Sequence, residues 1–112
     1  MVEQIVEKLF NMMAARILIL HILANKVSTG YSLLKEISRI LKTDLKISTF
    51  YTILHDLERE GYIKSFIEKR KQGIKYYQIT DKGLKVLSKT KAVVLSKIHV
   101  LSRYLEETPP IF

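Results

Sequence analysis

One stretch constrains this chain more than any other: Ser48 to Thr80, STFYTILHDLEREGYIKSFIEKRKQGIKYYQIT. Ser48 is placed to cap a helix, because its hydroxyl can accept from an unpaired amide of the first turn. Phe50, Ile53, Leu54 and Leu57 recur at helical spacing, and Gly61 supplies the permissive backbone at which such a helix stops. The spacing predicts a helix over 48–60 with those four side chains on one face. The opposite face carries Tyr51, Thr52, His55 and Arg59, all able to donate hydrogen bonds. Two runs rich in β-formers follow, 62–67 and 74–79, separated by Lys69-Arg70-Lys71-Gln72-Gly73.

A short helix with a polar face, followed by a hairpin with a cationic tip, is the outline of a winged helix-turn-helix. The expected class is therefore mainly α with a small β-wing (α+β). In that reading the helix 48–60 enters a major groove of double-stranded DNA through Ser48, Thr49, Tyr51, Thr52, His55 and Arg59. The wing 69–75 lies on phosphates or enters the minor groove through Lys69, Arg70, Lys71, Gln72 and Lys75. Asp56 and Glu60 repel phosphate, so the N-terminal half of the helix is expected to do the reading.

The charge distribution agrees. The net charge is +8, yet Lys64 to Arg103 holds eleven Lys or Arg against Glu68 and Asp81, while the remainder is close to neutral. A solubilising charge would be spread along the chain; a localised positive field suits a polyanion. For the lysines after Asp81, a solvated helix face serves equally well as an explanation.

Upstream, Val2, Ile5, Leu9, Met12, Met13, Ile17, Leu20 and Leu23 are spaced by threes and fours, which predicts a long helix over 2–25. Its apolar stripe is wider than a small domain needs, so the first ten residues are expected to pack on something else. Lys26-Val27 are expected to give a third short strand, and Thr29 to cap a helix over 30–42. Downstream, Thr80 is expected to cap a helix starting at Asp81. Leu84, Leu87, Val94, Ile98, Leu101 and Leu105 follow a seven-residue repeat, and nothing stops the helix before Pro109-Pro110. A rod of about 39 Å results. Its natural cover is another long helix, which implies a homodimer with Ile5, Leu9, Met12, Leu87, Val94, Ile98, Leu101 and Leu105 at the interface. Residues 1–80 would then form the winged domain and 81–108 the dimerisation helix.

The segment YTILHDLEREGYIKS…KYYQITDKG, with Gly30-Tyr31-Ser32-Leu33 before it, resembles the PadR family of winged-helix transcriptional regulators. The matching residues are Tyr51, Leu54, Leu57, Glu58 and Gly61, then Tyr77, Thr80 and Gly83, and the similarity runs from about Ile17 to Leu87. The resemblance implies DNA binding, with Tyr51 reaching a phosphate oxygen, and dimerisation through a single C-terminal helix as in the short-tailed members. Some such regulators bind aromatic ligands between dimer helices, often with a tryptophan. This chain has no Trp, so a small-molecule effector is compatible with the fold but not indicated.

Other classes find little support. One domain's worth of chain, 112 residues with no cysteine, excludes disulfides and thiolate metal sites and suits a reducing cytoplasm. The apolar run 17–24 is too short for a membrane, and Glu3 and Glu7 stand where a signal peptide would be positive. His21, expected in or beside the core, His55 and His99 are scattered, with no carboxylate at ligand spacing. No cofactor, no metal and no enzymatic activity are expected. The expected function is a site-specific regulator, a repressor at a palindromic site. A sequence-tolerant architectural protein and a protein-interaction module are the alternatives, the last favoured by the acids of 56–60.

Overall fold

In a computed structural model, which describes residues 1–111, the chain runs α1 (Val2–Leu23), β1 (Ser28–Thr29), α2 (Gly30–Leu41), α3 (Ile47–Arg59), β2 (Ile63–Glu68), β3 (Ile74–Ile79) and α4 (Asp81–Glu107). The strands form one antiparallel sheet of order β1-β3-β2. Its register sets Ser65 opposite Tyr77 and Phe66 opposite Tyr76. Because side chains alternate across a strand, Ile63 and Tyr77 point into the core while Phe66 and Tyr76 stack on the outer face, ring centres 5.8 Å apart. The class is mainly helical with a small β-wing.

The core takes Ala15, Ile19, Leu20, Ile22 and Leu23 from α1, Leu33, Leu34 and Ile37 from α2, and Phe50, Ile53, Leu54 and Leu57 from α3. Ile63, Tyr77 and Leu87 close it from the sheet and α4. In α3 these are the apolar positions that recur at helical spacing, so the periodicity dictates which face is turned inward. In α1 only Leu20 and Leu23 of the expected stripe are buried, with Ile17 at the edge of the core, and Ala15, Ile19 and Ile22 complete the inner face. Leu87, expected at a dimer interface, is instead buried in the chain's own core. The reason is the packing of α4 on α1: with Thr80 and Gly83 docked on the turn after α3, the first turns of α4 lie along α1 and Leu87 falls on the inner side of that contact. His21, expected in or beside the core, is exposed.

The end of α3 is a Schellman turn. Tyr62 N–H donates to the Leu57 carbonyl and Gly61 N–H to that of Glu58, each at 3.0 Å, with Gly61 at φ 81°. Thr80 then caps α4, its hydroxyl accepting from Gly83 N–H at 3.1 Å while donating to the Gly61 carbonyl at 2.6 Å. Gly83 is required here because a β-carbon would meet the Tyr62 carbonyl oxygen at 2.1 Å. The residues Tyr77, Thr80 and Gly83 are thus scaffold: one fills the core and two dock α4 on the turn after α3.

Two expected boundaries shift. The third strand is Ser28–Thr29 rather than Lys26-Val27, because pairing Ser28 with Tyr77 buries Ser28 and leaves Thr29 to cap α2 through Ser32 N–H. Helix α3 starts at Ile47, so Ser48 lies inside it and is not the cap. Lys46 holds the cap position with no side-chain bond, and its carbonyl accepts from Phe50 N–H at 2.9 Å.

The molecule measures 62 × 29 × 20 Å, with a radius of gyration of 16.4 Å. A compact chain of this length would have about 13 Å. The excess comes from α4, which past Thr90 has no buried residue among those described, and from the start of α1, where residues 2–10 are all exposed.

Candidate nucleic-acid interface

The exposed side of α3 is set by its buried side. With Phe50, Ile53, Leu54 and Leu57 turned inward, Ser48, Tyr51, Thr52, His55 and Arg59 are left on the surface. Thr49 is half-buried and lines a groove of about 360 Å³ between α1, the 43–46 turn and α3. The Thr52 hydroxyl donates to the Ser48 carbonyl at 2.9 Å, so its proton is engaged and its lone pairs are what remain for a partner. Arg59 holds the Asp56 carboxylate at 3.0 Å. Tyr51 is 39% exposed and meets Phe50 edge-on, ring centres 5.9 Å apart. Its hydroxyl has no hydrogen-bond partner among the described residues, nor does the ring of His55.

The wing turn is more structured than its composition suggests. Lys69–Lys71 form one turn of 3-10 helix, which the Glu68 carboxylate caps by accepting from Arg70 N–H at 3.3 Å. Gln72 and Gly73 then take left-handed conformations, φ 59° and 74°, that reverse the chain. The five wing residues singled out from the sequence divide accordingly. Lys69, Arg70 and Gln72 project from the turn with no side-chain bond among the described residues. Lys71 lies back over the Tyr76 ring, 5.5 Å from its centre. Lys75 is not part of the turn: paired with Ile67 on β3, it sits 5.3 Å from the Tyr77 ring centre and 4.0 Å from Glu58.

Glu58 is the residue that the sequence pattern did not explain. From α3 it accepts the Ser65 hydroxyl of β2 at 2.5 Å and faces Lys75 of β3, so one carboxylate ties the exposed helix to both strands of the wing. Alternation was the available signal, since it places Ser65 on the same sheet face as buried Ile63. The acids of 56–60 are thereby largely consumed inside the chain: Asp56 by Arg59, Glu58 by Ser65 and Lys75. Beyond the wing, Lys85, Lys89, Lys91 and Lys97 make no side-chain bond among the described residues, whereas Lys82 donates to the Glu60 carbonyl at 2.7 Å and covers the Tyr62 ring, and Arg103 pairs with Glu107 at 3.0 Å.

Of the residues expected at a dimer interface, Ile5, Leu9, Ile98, Leu101 and Leu105 are exposed, and Met12 and Val94 are half-buried. Val93, Val100 and Tyr104 are exposed too, so the bare apolar arc on the outer part of α4 is broader than a single seven-residue stripe. Among the described residues no group of three or more His, Asp or Glu is placed to hold a metal, and no helix is long and apolar enough to cross a membrane.

No curated protein matches the chain significantly. Solved structures do. A PadR family transcriptional regulator from Eggerthella lenta is 26% identical with a TM-score of 0.78, the match covering 94% of this chain and 92% of that one. A PadR family transcription regulator from Clostridium difficile is 29% identical with a TM-score of 0.71, covering 80% and 96%. A protein from Streptococcus mutans is 32% identical with a TM-score of 0.72, covering 90% and 94%. The description of the PadR-like family of transcriptional regulators matches residues 19–89, from within α1 into α4 and including the whole of the wing. The chain belongs to the PadR-like family of transcriptional regulators.

Proposed function

We propose that this DNA-binding regulator acts as a homodimer that recognises a specific double-stranded site. In this reading α3 lies in the major groove and the turn 69–73 lies on the flanking phosphates. The carrying observation is the pairing pattern of the charges. Asp56 and Glu58 of α3 are bound within the chain, which leaves Glu60 at the far end of the helix as the unpaired acid, while Lys69 and Arg70 stand without acidic partners among the described residues. That combination supports a polyanion over an acidic-surface protein partner. Tyr51 supplies a phenol for a phosphate oxygen, and Ser48, Thr52, His55 and Arg59 face the base edges. The uncapped first turn of α3 adds amides that favour an anion nearby.

Dimerisation follows from the bare apolar surfaces of α1 and α4, since exposed patches of that extent mark association sites. The division is then functional: residues 1–80 carry the DNA-reading elements, and the part of 81–108 beyond the core residue Leu87, together with the exposed start of α1, pairs the subunits. A two-fold dimer addresses half-sites about one helical turn, near 34 Å, apart. Occupying a promoter in the cytoplasm, it would act as a repressor. The test is titration against genomic fragments that include the protein's own promoter, at two salt concentrations, with random duplex as competitor. A preference of about 10³ or more for one fragment supports the regulator. Equal binding to all fragments would make it an architectural protein.

A further inference from the structure

Gly30 opens α2 and is buried, yet its backbone does not need glycine. The glycines with positive φ are Gly61 and Gly73, so a side chain would suit the conformation at Gly30, and alanine would favour the helix. What the missing side chain supplies is room. A β-carbon at Gly30 would lie 2.8 Å from Cε1 of Tyr51, 3.0 Å from its hydroxyl oxygen and 3.2 Å from Cζ. Such distances are closer than van der Waals contact, so the Tyr51 ring rests directly on the bare α-carbon of the neighbouring helix.

We propose that Gly30 is a positioning residue, which seats Tyr51 on α2 and thereby aims its hydroxyl at DNA. The seat has two sides. Gly30 bounds the ring from α2, and Phe50 meets it edge-on within α3. A tyrosine has two rotatable side-chain bonds, and both are held before any ligand arrives. The hydroxyl stays free of partners among the described residues, so the restraint acts on the ring and leaves the donor available. Binding then avoids the entropy of ordering that side chain, an effect worth about tenfold in affinity at most. The inference rests on the reading of α3 as the DNA-contacting helix, and it adds a residue outside α3 to the machinery.

The test is a double-mutant cycle of Gly30→Ala and Tyr51→Ala, read both by thermal unfolding without DNA and by affinity for the preferred promoter fragment. Gly30→Ala is expected to lower the melting temperature and to weaken binding by up to about tenfold per subunit with the salt slope unchanged, because the wing is untouched. In the Tyr51→Ala background the same substitution is expected to do neither. An equal loss of affinity in both backgrounds would overturn the proposal, since Gly30 would then act through α2 itself. If Tyr51→Ala alone leaves affinity unchanged, the DNA role of Tyr51 fails, while the unfolding cycle still reports the Gly30–Tyr51 contact separately. Should Gly30→Ala not fold, nuclear Overhauser contacts between the Gly30 α-protons and the Tyr51 ring in the unmodified protein decide the seat; their absence would overturn it.

Discussion

The hydroxyl of Thr80 donates to the carbonyl of Gly61 at 2.6 Å, joining two residues nineteen apart in sequence. Its single proton cannot also serve the Tyr62 carbonyl at 3.1 Å, which receives Thr80 N–H instead. Through this contact the end of α3 and the start of α4 share one hydrogen-bonded turn, which fixes where the long C-terminal helix leaves the exposed one. Thr80→Val keeps the shape and removes the donor. It is expected to destabilise the fold by about 1–2 kcal/mol, the combined worth of a cap and a tertiary hydrogen bond. Gly83→Ala, which drives a methyl into the Tyr62 carbonyl, is expected to cost about 3 kcal/mol or more. Chemical denaturation with unchanged slope would measure both; a Gly83→Ala variant as stable as its parent would refute the packing argument.

The wing cations are predicted to behave unequally, because the turn and the strand present them differently. Lys69→Ala with Arg70→Ala is expected to weaken binding to every duplex and to flatten the log–log salt slope of the dimer by about 3.6, two phosphates per subunit at about 0.9 each. Lys75→Ala is expected to leave that slope nearly unchanged, since its ammonium is directed to Glu58 and Tyr77. Fluorescence anisotropy over a range of salt separates the two cases. An equal change for Lys75→Ala would mean that its ion pair yields to phosphate.

Helix α2 ends on Lys42 in a left-handed conformation, φ 54°, where glycine is the residue without a steric penalty. Lys42→Gly relieves about 1–2 kcal/mol of backbone crowding and returns part of it as unfolded-chain entropy. A net stabilisation of about 0.5–1 kcal/mol is expected in thermal or denaturant unfolding. A loss instead would show that the Lys42 side chain contributes more than its backbone gives away.

The helical periods made the core legible, because burying one face of each helix leaves a single phase for Phe50, Ile53, Leu54 and Leu57. The wing was legible for a similar reason: two β-rich runs about a Gly-containing basic turn have few other ways to pair. What escaped depended on partners far apart in sequence. Ser48 looks like a cap by residue type, but the helix begins where Phe50 N–H reaches the Lys46 carbonyl, and no local rule places that bond. Leu87 fits a heptad as well as a core position, and only the docking of Thr80 and Gly83 on Tyr62 decides between them. Lys75 belongs to a cationic run, yet Glu58, seventeen residues earlier, draws its ammonium along the sheet toward α3. The seat of Tyr51 on Gly30 likewise needs the crossing of two helices, which spacing within either one does not encode.

Core and exposed positions on α4 respond differently to the same substitution. Leu87 and Ile98 occupy comparable points of one apolar repeat, but Leu87 is 8% exposed and Ile98 is 42% exposed. Leu87→Asp buries an unpaired carboxylate in the chain's own core and is expected to prevent folding, whatever the state of association. Ile98→Asp places its charge among Val94, Leu101 and Leu105, on a part of α4 that the chain leaves uncovered. Circular dichroism should therefore remain native for Ile98→Asp while sedimentation falls to the monomer mass. Binding to the two-half-site fragment should fall with it, since one subunit reaches only one half-site. A folded Ile98→Asp protein that still sediments as a dimer would move the subunit contact off this face, and the exposed apolar residues of α1 would become the place to look.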